Sequence, residues 1–557
     1  MAITSDKYLH PAPWQQDFPP LAVDDMFFGS AARMGQARFL DFLGRSFSYA
    51  EMADAVRCVA RGLQDRGAGE GHRVGLYLPN VPHYIAAYYG AMAAGATVVN
   101  FSPLYTVEEL SHQVADSGTD LLFTISAQAL LPSALKVLDQ SELKGLVVGS
   151  IAEVLPRVKG WAYRLFKRAE VADIPDDPRI ILYSDLLDND GGHTQRKCDP
   201  LRDVALLQYT GGTTGTPKGA KLTHQNLTVN ARQINLIDPE SRVNAGESAE
   251  DRILGVLPFF HVFANATVLN RTISNGGEIV MLPRFDAKDA LAAIGRTKVT
   301  SMPGVPTMYQ ALLDHPDFAG TDFSSLRACV SGGAPLAGEL KAKFEKGSDA
   351  AVIEGYGLTE SSGVISCNPY VGVNKLGSIG QPIPGTEVQL VDKEDPARPP
   401  PKGEPGELVC KGPQIMAGYW NRPDADKEVF VDGWLRTGDV AKIDEDGFIF
   451  IVDRLKDMIS VGGFKVFPSQ VEEVLYTHED VKEALVIGVP DNYLGEVPRA
   501  FVTLNDGADV DGEALAGWLN PKLGKHERVD KVMVRGELPK TMIGKLDRKA
   551  LRAEISA

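Results

Sequence analysis

Short strand-like runs alternate with helical stretches through most of this chain, and no other feature restricts its fold as strongly. Such runs lie at Arg73–Leu78, Leu121–Thr124, Gly145–Gly149, Arg252–Leu257 and Glu278–Leu282. The alternation predicts α/β units with largely parallel sheets. The longest apolar run, Tyr84 to Val99, is rich in Ala and Gly and falls short of the roughly 20 apolar residues that span a bilayer. It reads as a buried helix ending near Gly95 followed by a buried strand at Thr97–Phe101. Near Gly377 the texture changes to closely spaced strands, Glu387–Asp392, Gly406–Lys411 and Phe448–Asp453, which predict a smaller β-rich subdomain. Ala397–Glu407 is expected to be a surface loop between two of them, because strand patterns resume on both sides.

A chain of 557 residues, 44% of them apolar, is too long for one small core and should form several domain-sized units. A boundary is expected at Asp453–Asp457, where a strand ends in a charged pentapeptide. The expected fold class is α/β: a large N-terminal domain (1–455) of two α/β subdomains plus the β-rich subdomain, then a small α+β C-terminal domain (456–557). The latter should hold a helix at Pro468–Tyr476 and strands around Ala484–Val489 and Arg499–Leu504.

The formal charge of −16 argues against non-specific nucleic-acid binding and means that any polyphosphate is held by a local site rather than by the overall field. The five cysteines, an odd number without a CxxC pair, read as reduced thiols of a cytoplasmic protein. The histidines form no zinc pattern. The N-terminus lacks the basic and apolar regions of a signal peptide. Within this acidic chain Leu155–Arg168 (LPRVKGWAYRLFKR) is basic and aromatic. One reading is a helix lying on a membrane surface or a partner, which would put the protein peripherally at the inner face of a membrane. The other, preferred because the basic run is short and interrupted by Pro156 and Gly160, is a surface helix whose aromatic face packs on its own domain.

The chemistry is expected in Tyr209-Thr-Gly-Gly-Thr-Thr-Gly-Thr-Pro-Lys-Gly219, which follows the apolar strand Val204–Leu207. Gly211, Gly212, Gly215 and Gly219 let backbone N–H groups turn inward as a nest for phosphate oxygens. Thr210, Thr213, Thr214 and Thr216 add hydroxyls, and Lys218 adds a point charge. The spacing is not GxxxxGK[ST], because glycine follows the lysine.

This loop resembles the signature of the adenylate-forming superfamily, which comprises acyl-CoA synthetases, luciferases and peptide-synthetase adenylation domains. Ser331–Pro335, Glu354–Glu360, Gly433–Asp439, Asp453–Asp457 and Pro539–Lys545 follow in that family's order and at its spacing. The resemblance covers essentially the whole chain. It implies that Tyr356 stacks on adenine, with Gly333, Ala334, Glu354 and Gly355 at the pocket edge. Gly355 and Gly357, flanking Tyr356, are read as allowing close backbone approach to something flat. The resemblance further implies that Thr359 binds the α-phosphate, that Glu360 and Thr210 hold Mg²⁺, and that Asp439 accepts the ribose hydroxyls with Arg454 nearby. Lys545 is the candidate for stabilising charge on the phosphoryl oxygens. Lys456, grouped with the nucleotide site, matches the family's hinge. The small domain is therefore expected to be mobile, docking Lys545 in one state and presenting Val461–Phe464 in another. Gly462 and Gly463 would then bind CoA, Gly463 lining a tunnel in which a Cβ would collide.

His261, Val262 and Gly304 fall where the family builds its acyl pocket. His261 is expected to position the substrate rather than act as a base, because a carboxylate nucleophile carries no proton at neutral pH. The absence of an acidic residue at Asn265 is read against amino-acid substrates. The chain is most similar to the bacterial long-chain fatty-acid–CoA ligase group, through Val99–Gly118, Leu207–Gly215 and Ser331–Leu336. It departs at Ser362-Gly363, where many relatives carry proline. ATP, CoA and a medium- to long-chain fatty acid are the expected substrates, and a homodimer is left open. The alternatives are an aryl or cinnamate-type CoA ligase, a luciferase-like enzyme, and a non-catalytic nucleotide or acyl-CoA sensor. A peptide-synthetase module would continue into a carrier domain, and twelve residues follow Lys545.

Overall fold

The structure is a computed structural model that describes residues 7–210, 217–541 and 544–556. Four sheets form among the described residues. The first runs Ile180–Leu182, Gly145–Gly149, Leu121–Ile125, Arg73–Leu76, Thr97–Asn100, Val204–Tyr209 and Gly219–Thr223. Every neighbouring pair in it is parallel except the last. The second has nine strands with a parallel centre, Ala351–Leu358, Ala328–Gly332, Ser301–Gly304, Arg252–Gly255 and Glu278–Met281, and antiparallel strands at both ends. The strand positions match the alternation in the sequence to within two residues; Tyr77, Leu78, Val256, Leu257 and Leu282 lie beyond the strand ends but stay buried, and Leu121–Ile125 runs one residue further.

Helix Pro82–Ala94 lies wholly buried within the core that both sheets share. Its chain reverses at Gly95 (φ +96°), where a Cβ would meet Arg196 Cδ at 3.1 Å, and enters strand Thr97–Asn100 as expected. Around it, buried polar groups stitch the sheets together. Tyr84 Oη lies 2.8 Å from Asn100 Oδ1 and 2.9 Å from the Phe259 carbonyl, and its single proton is shared between these two acceptors. Asn100 in turn donates to Gln208 Oε1 (2.9 Å), whose amide donates to the Phe260 carbonyl (2.9 Å). Each buried polar atom of this chain would be costly if unpaired, so the network sets one relative placement of the sheets.

The β-rich unit is an antiparallel sheet of Glu387–Val391, Gly406–Lys411, Trp434–Ile443, Phe430–Val431 and Ile449–Arg454. From Ile459 onward the chain builds separate cores. Helix Pro468–Tyr476 packs there on the long hairpin Val481–Asp491/Gly495–Leu504. That hairpin exceeds the predicted strands because its outer residues, Asp491 among them, pair through backbone alone.

The run Val262–Asn275 is one continuous helix carrying a π-helical segment at Asn265–Asn270, a form concentrated at functional sites. Arg271, 3% exposed, pins its far end to Asp251 (2.8 Å) and Asp238 (2.5 Å). Arg271→Met would strand two buried carboxylates. We expect it to cost about 3–5 kcal/mol, read from the denaturation midpoint of the N-terminal region; a loss under about 1 kcal/mol would contradict this pairing.

The packed reading of Leu155–Arg168 is overturned. Arg157–Phe166 is a helix, but Val158, Trp161, Leu165 and Phe166 all face outward and exposed. Pro156 does not interrupt it but precedes its first turn, where a missing N–H costs nothing. Gly160 faces inward, where a Cβ would lie 2.5 Å from the Ala152 carbonyl. Among the described residues no helix is long and apolar enough to cross a membrane.

Candidate functional site

A cavity of about 2830 Å³ opens where the two large sheets, the β-rich sheet and the C-terminal unit meet. Strand Val204–Tyr209 delivers the phosphate-loop candidate to its rim. Gly211, Gly212, Thr213, Thr214, Gly215 and Thr216 lie outside the described residues, but both ends of the loop are placed. The Thr210 amide donates to the Lys218 carbonyl at 2.9 Å, closing the loop's neck. Lys218 Nζ lies 5.3 Å above the Tyr419 ring. Gly219 is held between Tyr209 and Trp420, where a Cβ would come within 3.2 Å of Tyr209 Cζ.

Sequence reasoning missed the hub that secures this neck. Tyr209 Oη donates to Asp116 Oδ2 (2.7 Å), Arg422 to Asp116 Oδ1 (2.5 Å) and Trp420 Nε1 to the Asp116 carbonyl (3.1 Å). It also missed Tyr419, whose hydroxyl donates to Glu360 Oε1 at 2.6 Å. The run Gly418-Tyr-Trp-Asn-Arg422, with two adjacent aromatics beside an arginine, is the signal that could have found both.

On the facing sheet, Gly333 (φ +83°) and Ala334 follow strand Ala328–Gly332, while Glu354, Gly355 and Tyr356 lie on Ala351–Leu358. Tyr356 Oη donates to Asp439 Oδ2, and Arg454 Nε to Asp439 Oδ1 at 3.0 Å. Antiparallel pairing sets Asp439 directly opposite Arg454, so one carboxylate joins an aromatic ring to a cation. Burial pushes the Glu354 carboxyl up to about 7, and its Oε1 has no partner among the described residues. Thr359 and Glu360 follow on the cavity wall.

The two glycines around Tyr356 do not share the role expected of them. A Cβ at Gly357 would fall 1.6 Å from the Gly363 carbonyl, whereas one at Gly355 would make only ordinary contacts. Gly357 answers to its neighbouring strand, not to a flat ligand. Gly363 (φ +133°) presses on Ala266 of the π-helical segment, where a Cβ would lie 2.5 Å away.

His261 caps the helix it precedes, Nδ1 accepting from the Phe263 amide at 3.2 Å. The ring proton therefore sits on Nε2. Its enclosed setting, with the Lys545 ammonium nearby, pulls its pKa down to about 3, so the ring is neutral across the physiological range. Val262 lines the cavity beside it. Gly304 does not: Pro303 and Val305 face the cavity, while Gly304 backs onto Tyr309, where a Cβ would lie 3.2 Å from Tyr309 Cζ. Asn265 is also off the wall. Its Oδ1 accepts from Tyr88 (3.2 Å) and Asn270 (2.8 Å), so its lack of charge says nothing about amino-acid substrates.

Lys545 comes from the other side. It rides on a turn in which Gly544 (φ +79°) abuts Thr307, 3.0 Å separating a Cβ there from Thr307 Oγ1. The Thr541 amide donates to the Lys545 carbonyl at 2.6 Å. A Cβ on Gly333 would lie 2.5 Å from Lys545 Cε and 2.8 Å from Nζ. Burial, reinforced by Arg454 and partly offset by Asp439, lowers the Lys545 pKa to about 8. Lys456 lies on the same cavity wall, and burial with Arg454 lowers it to about 8 as well. Gly462 and Gly463 stand apart in a tight turn with positive φ. A Cβ at Gly463 would meet nothing within 4 Å, so in this arrangement the turn alone accounts for it.

Residues 27–420 match the family model described as AMP-binding enzyme, and residues 470–545 match the AMP-binding enzyme C-terminal domain. The chain belongs to the AMP-binding enzyme family. This AMP-binding enzyme is 38% identical over 551 residues to a long-chain-fatty-acid–CoA ligase of Bacillus subtilis, covering 98% of this chain and 97% of the relative. It is 36% identical over 505 residues to a feruloyl-CoA synthase of Amycolatopsis, covering 90% and 93%. Among solved structures it resembles ATP-bound MatB from Rhodopseudomonas palustris, with TM-score 0.83, 26% identity and coverage of 96% and 99%. Its TM-score to apo MatB is 0.73 at the same identity and coverage. Among the described residues no group of three or more His, Cys, Asp or Glu could hold a metal ion.

Proposed function

We propose that this AMP-binding enzyme joins a fatty acid to CoA in two steps. A carboxylate oxygen attacks the α-phosphorus of ATP, giving acyl-AMP and releasing pyrophosphate. The CoA thiolate then attacks the acyl carbon and AMP leaves. The observation that carries the adenylation site is the convergence at Gly333: an ammonium from the C-terminal unit, Tyr356 of the nine-stranded sheet joined to Asp439 and Arg454 of the β-rich sheet, and neutral His261 surround one cavity. The fatty acid is supported by the Bacillus relative and by apolar wall residues that include Ile234, Ile237, Ile253 and Val330. The Amycolatopsis relative supports an aryl acid as the second reading. CoA-dependent AMP release across fatty acids of graded length, cinnamates and amino acids decides between them. Highest kcat/KM for a cinnamate would overturn the first reading, and no release with any acid would overturn both.

In this reading Tyr356 covers the adenine and Asp439 keeps lone pairs for the ribose beyond those given to Tyr356 and Arg454. The wall at Gly333, Ala334, Glu354 and Gly355 frames the base. Thr359 meets the α-phosphate, and the loop through Lys218 and Gly219 holds the rest. Neutral His261 can donate from Nε2 to a carboxylate oxygen without competing for a proton. The Glu360 and Thr210 side chains suit Mg²⁺: Glu360 keeps one carboxylate oxygen beyond the one held by Tyr419, and the Thr210 hydroxyl has no partner among the described residues. One carboxylate plus phosphate oxygens is a usual Mg²⁺ set, and the ion would supply charge neutralisation on the phosphates.

Lys545 works as an ammonium, so its contribution is present below its folded pKa and lost as pH rises through it. With that pKa near 8, kcat/KM for pyrophosphate exchange should fall above about pH 8, with the same limb in Lys456→Ala. A limb displaced to about 10 would contradict the burial of Lys545. Gly463 belongs to the proposed second state. Gly463→Leu should slow thioester formation from supplied acyl-AMP at least about tenfold more than it slows pyrophosphate exchange. Equal effects would confine Gly463 to its turn.

A further inference from the structure

Helix Arg157–Phe166 is built inside out. Its apolar residues recur at Val158, Trp161, Ala162, Leu165 and Phe166, the i, i+3, i+4, i+7, i+8 stripe that a surface helix ordinarily turns toward its core. Here that stripe faces outward, with Val158 79%, Trp161 66%, Leu165 55% and Phe166 76% exposed. The inward face is narrow. Gly160 lies against the Ala152 carbonyl, Tyr163 packs on the core, and Lys159 Nζ donates to the Leu43 carbonyl at 2.8 Å. These contacts hold the helix with its apolar side out, so the exposure is part of the fold.

We propose that this helix is the face by which the protein docks on an anionic lipid bilayer. Trp161 and Phe166 would sit at the headgroup level with Leu165 and Val158 beneath them. Arg157, Arg164 and Arg168 supply positive charge, and Arg157 and Arg168 form no ion pair among the described residues. Glu170 is paired with Lys167 (2.5 Å), and Glu153 offsets part of the charge of Arg164, which leaves Arg157 and Arg168 as the main cations of this face. In a chain of net charge −16, this basic and aromatic face fits a negatively charged surface while the rest of the molecule is repelled, which also sets the orientation. A second copy is a poorer occupant, because a two-fold contact through this helix would set arginines against arginines. The proposal deepens the fatty-acid reading by giving the acid a lipid source, but binding is measured without turnover, so the two can fail separately.

The test is flotation of the full-length protein with phosphatidylglycerol–phosphatidylcholine vesicles and with phosphatidylcholine vesicles. Wild type should float with the anionic vesicles and bind the neutral ones at least about tenfold more weakly. The triple variant Trp161→Ser, Leu165→Ser, Phe166→Ser should lose at least about tenfold in partitioning. Arg157→Gln, Arg164→Gln, Arg168→Gln should each cost about fivefold at low salt, an effect that shrinks at high salt. The fluorescence lost in Trp161→Phe should shift to the blue on adding anionic vesicles. All changes are on the surface, so unchanged thermal melting certifies folding. Wild type that fails to float, or unchanged flotation of the triple variant and of all three arginine variants, overturns the proposal. A dimer on size exclusion that the apolar variant alone dissolves, with flotation unchanged, reassigns the face to a second copy and also overturns it.

Discussion

Lys545→Ala is expected to lower acyl-AMP formation by at least about 10²–10³-fold while leaving thioester formation from supplied acyl-AMP largely intact. The reason is positional. Lys545 reaches Gly333 from a separate unit and brings an ammonium to the cavity wall there, whereas Arg454 is already paired with Asp439. Charge grows on the phosphoryl oxygens only in the first half-reaction. The second breaks an acyl–phosphate bond after the nucleotide has already been cleaved, and in the proposed function it uses a different face of the small unit. Pyrophosphate exchange measures the first step and thiol consumption with synthetic acyl-AMP the second. Equal loss in both would remove the two-state arrangement from the proposed function.

The second large effect is expected at a residue with no functional group. Gly333→Ala puts a methyl group where Lys545 Cε and Nζ now lie, and forces a side chain onto φ +83°. The turn costs about 1–2 kcal/mol in strain, but exclusion of the lysine matters more. We expect pyrophosphate exchange to fall about 10²-fold. The same substitution made in Lys545→Ala should cost far less, because residues acting as a unit are not additive. Full additivity in the double variant would mean that Gly333 acts on the nucleotide alone. Purified variants with unchanged melting temperatures are sufficient for the cycle.

Much of this was legible in sequence because buried parallel strands leave an unmistakable trace, and the family's motifs stand in order along the chain. What stayed hidden depended on contacts between distant segments. Asp116 ends a surface-looking helix, yet it ties Tyr209 to Arg422 across three separate segments. Nothing local marks it. Asn265 looked like a pocket residue until Tyr88, from another helix, proved to occupy it. Gly357 was read against a ligand, but its partner is the next strand. The exposed helix was misread for the opposite reason. The rule that an apolar stripe seeks the core is sound on average, and here the fold turns it to the outside.

The joint between the two units has one further consequence. Asp453, at the end of the β-rich sheet, accepts from the Ser469 amide at 2.8 Å. Arg548 donates to Glu472 (2.5 Å), and Arg552 to Asp457 (3.1 Å). Both arginines belong to the helix that follows the lysine turn. The segment that presents the lysine therefore also holds the joint of the proposed two-state arrangement, Arg552 through Asp457 of the linking pentapeptide and Arg548 through Glu472 on the helix whose Ser469 meets Asp453. For anyone engineering this protein, an affinity tag or a shortened helix at that end is not neutral. It would loosen the fastening and register as a loss of catalysis with every cavity residue still in place.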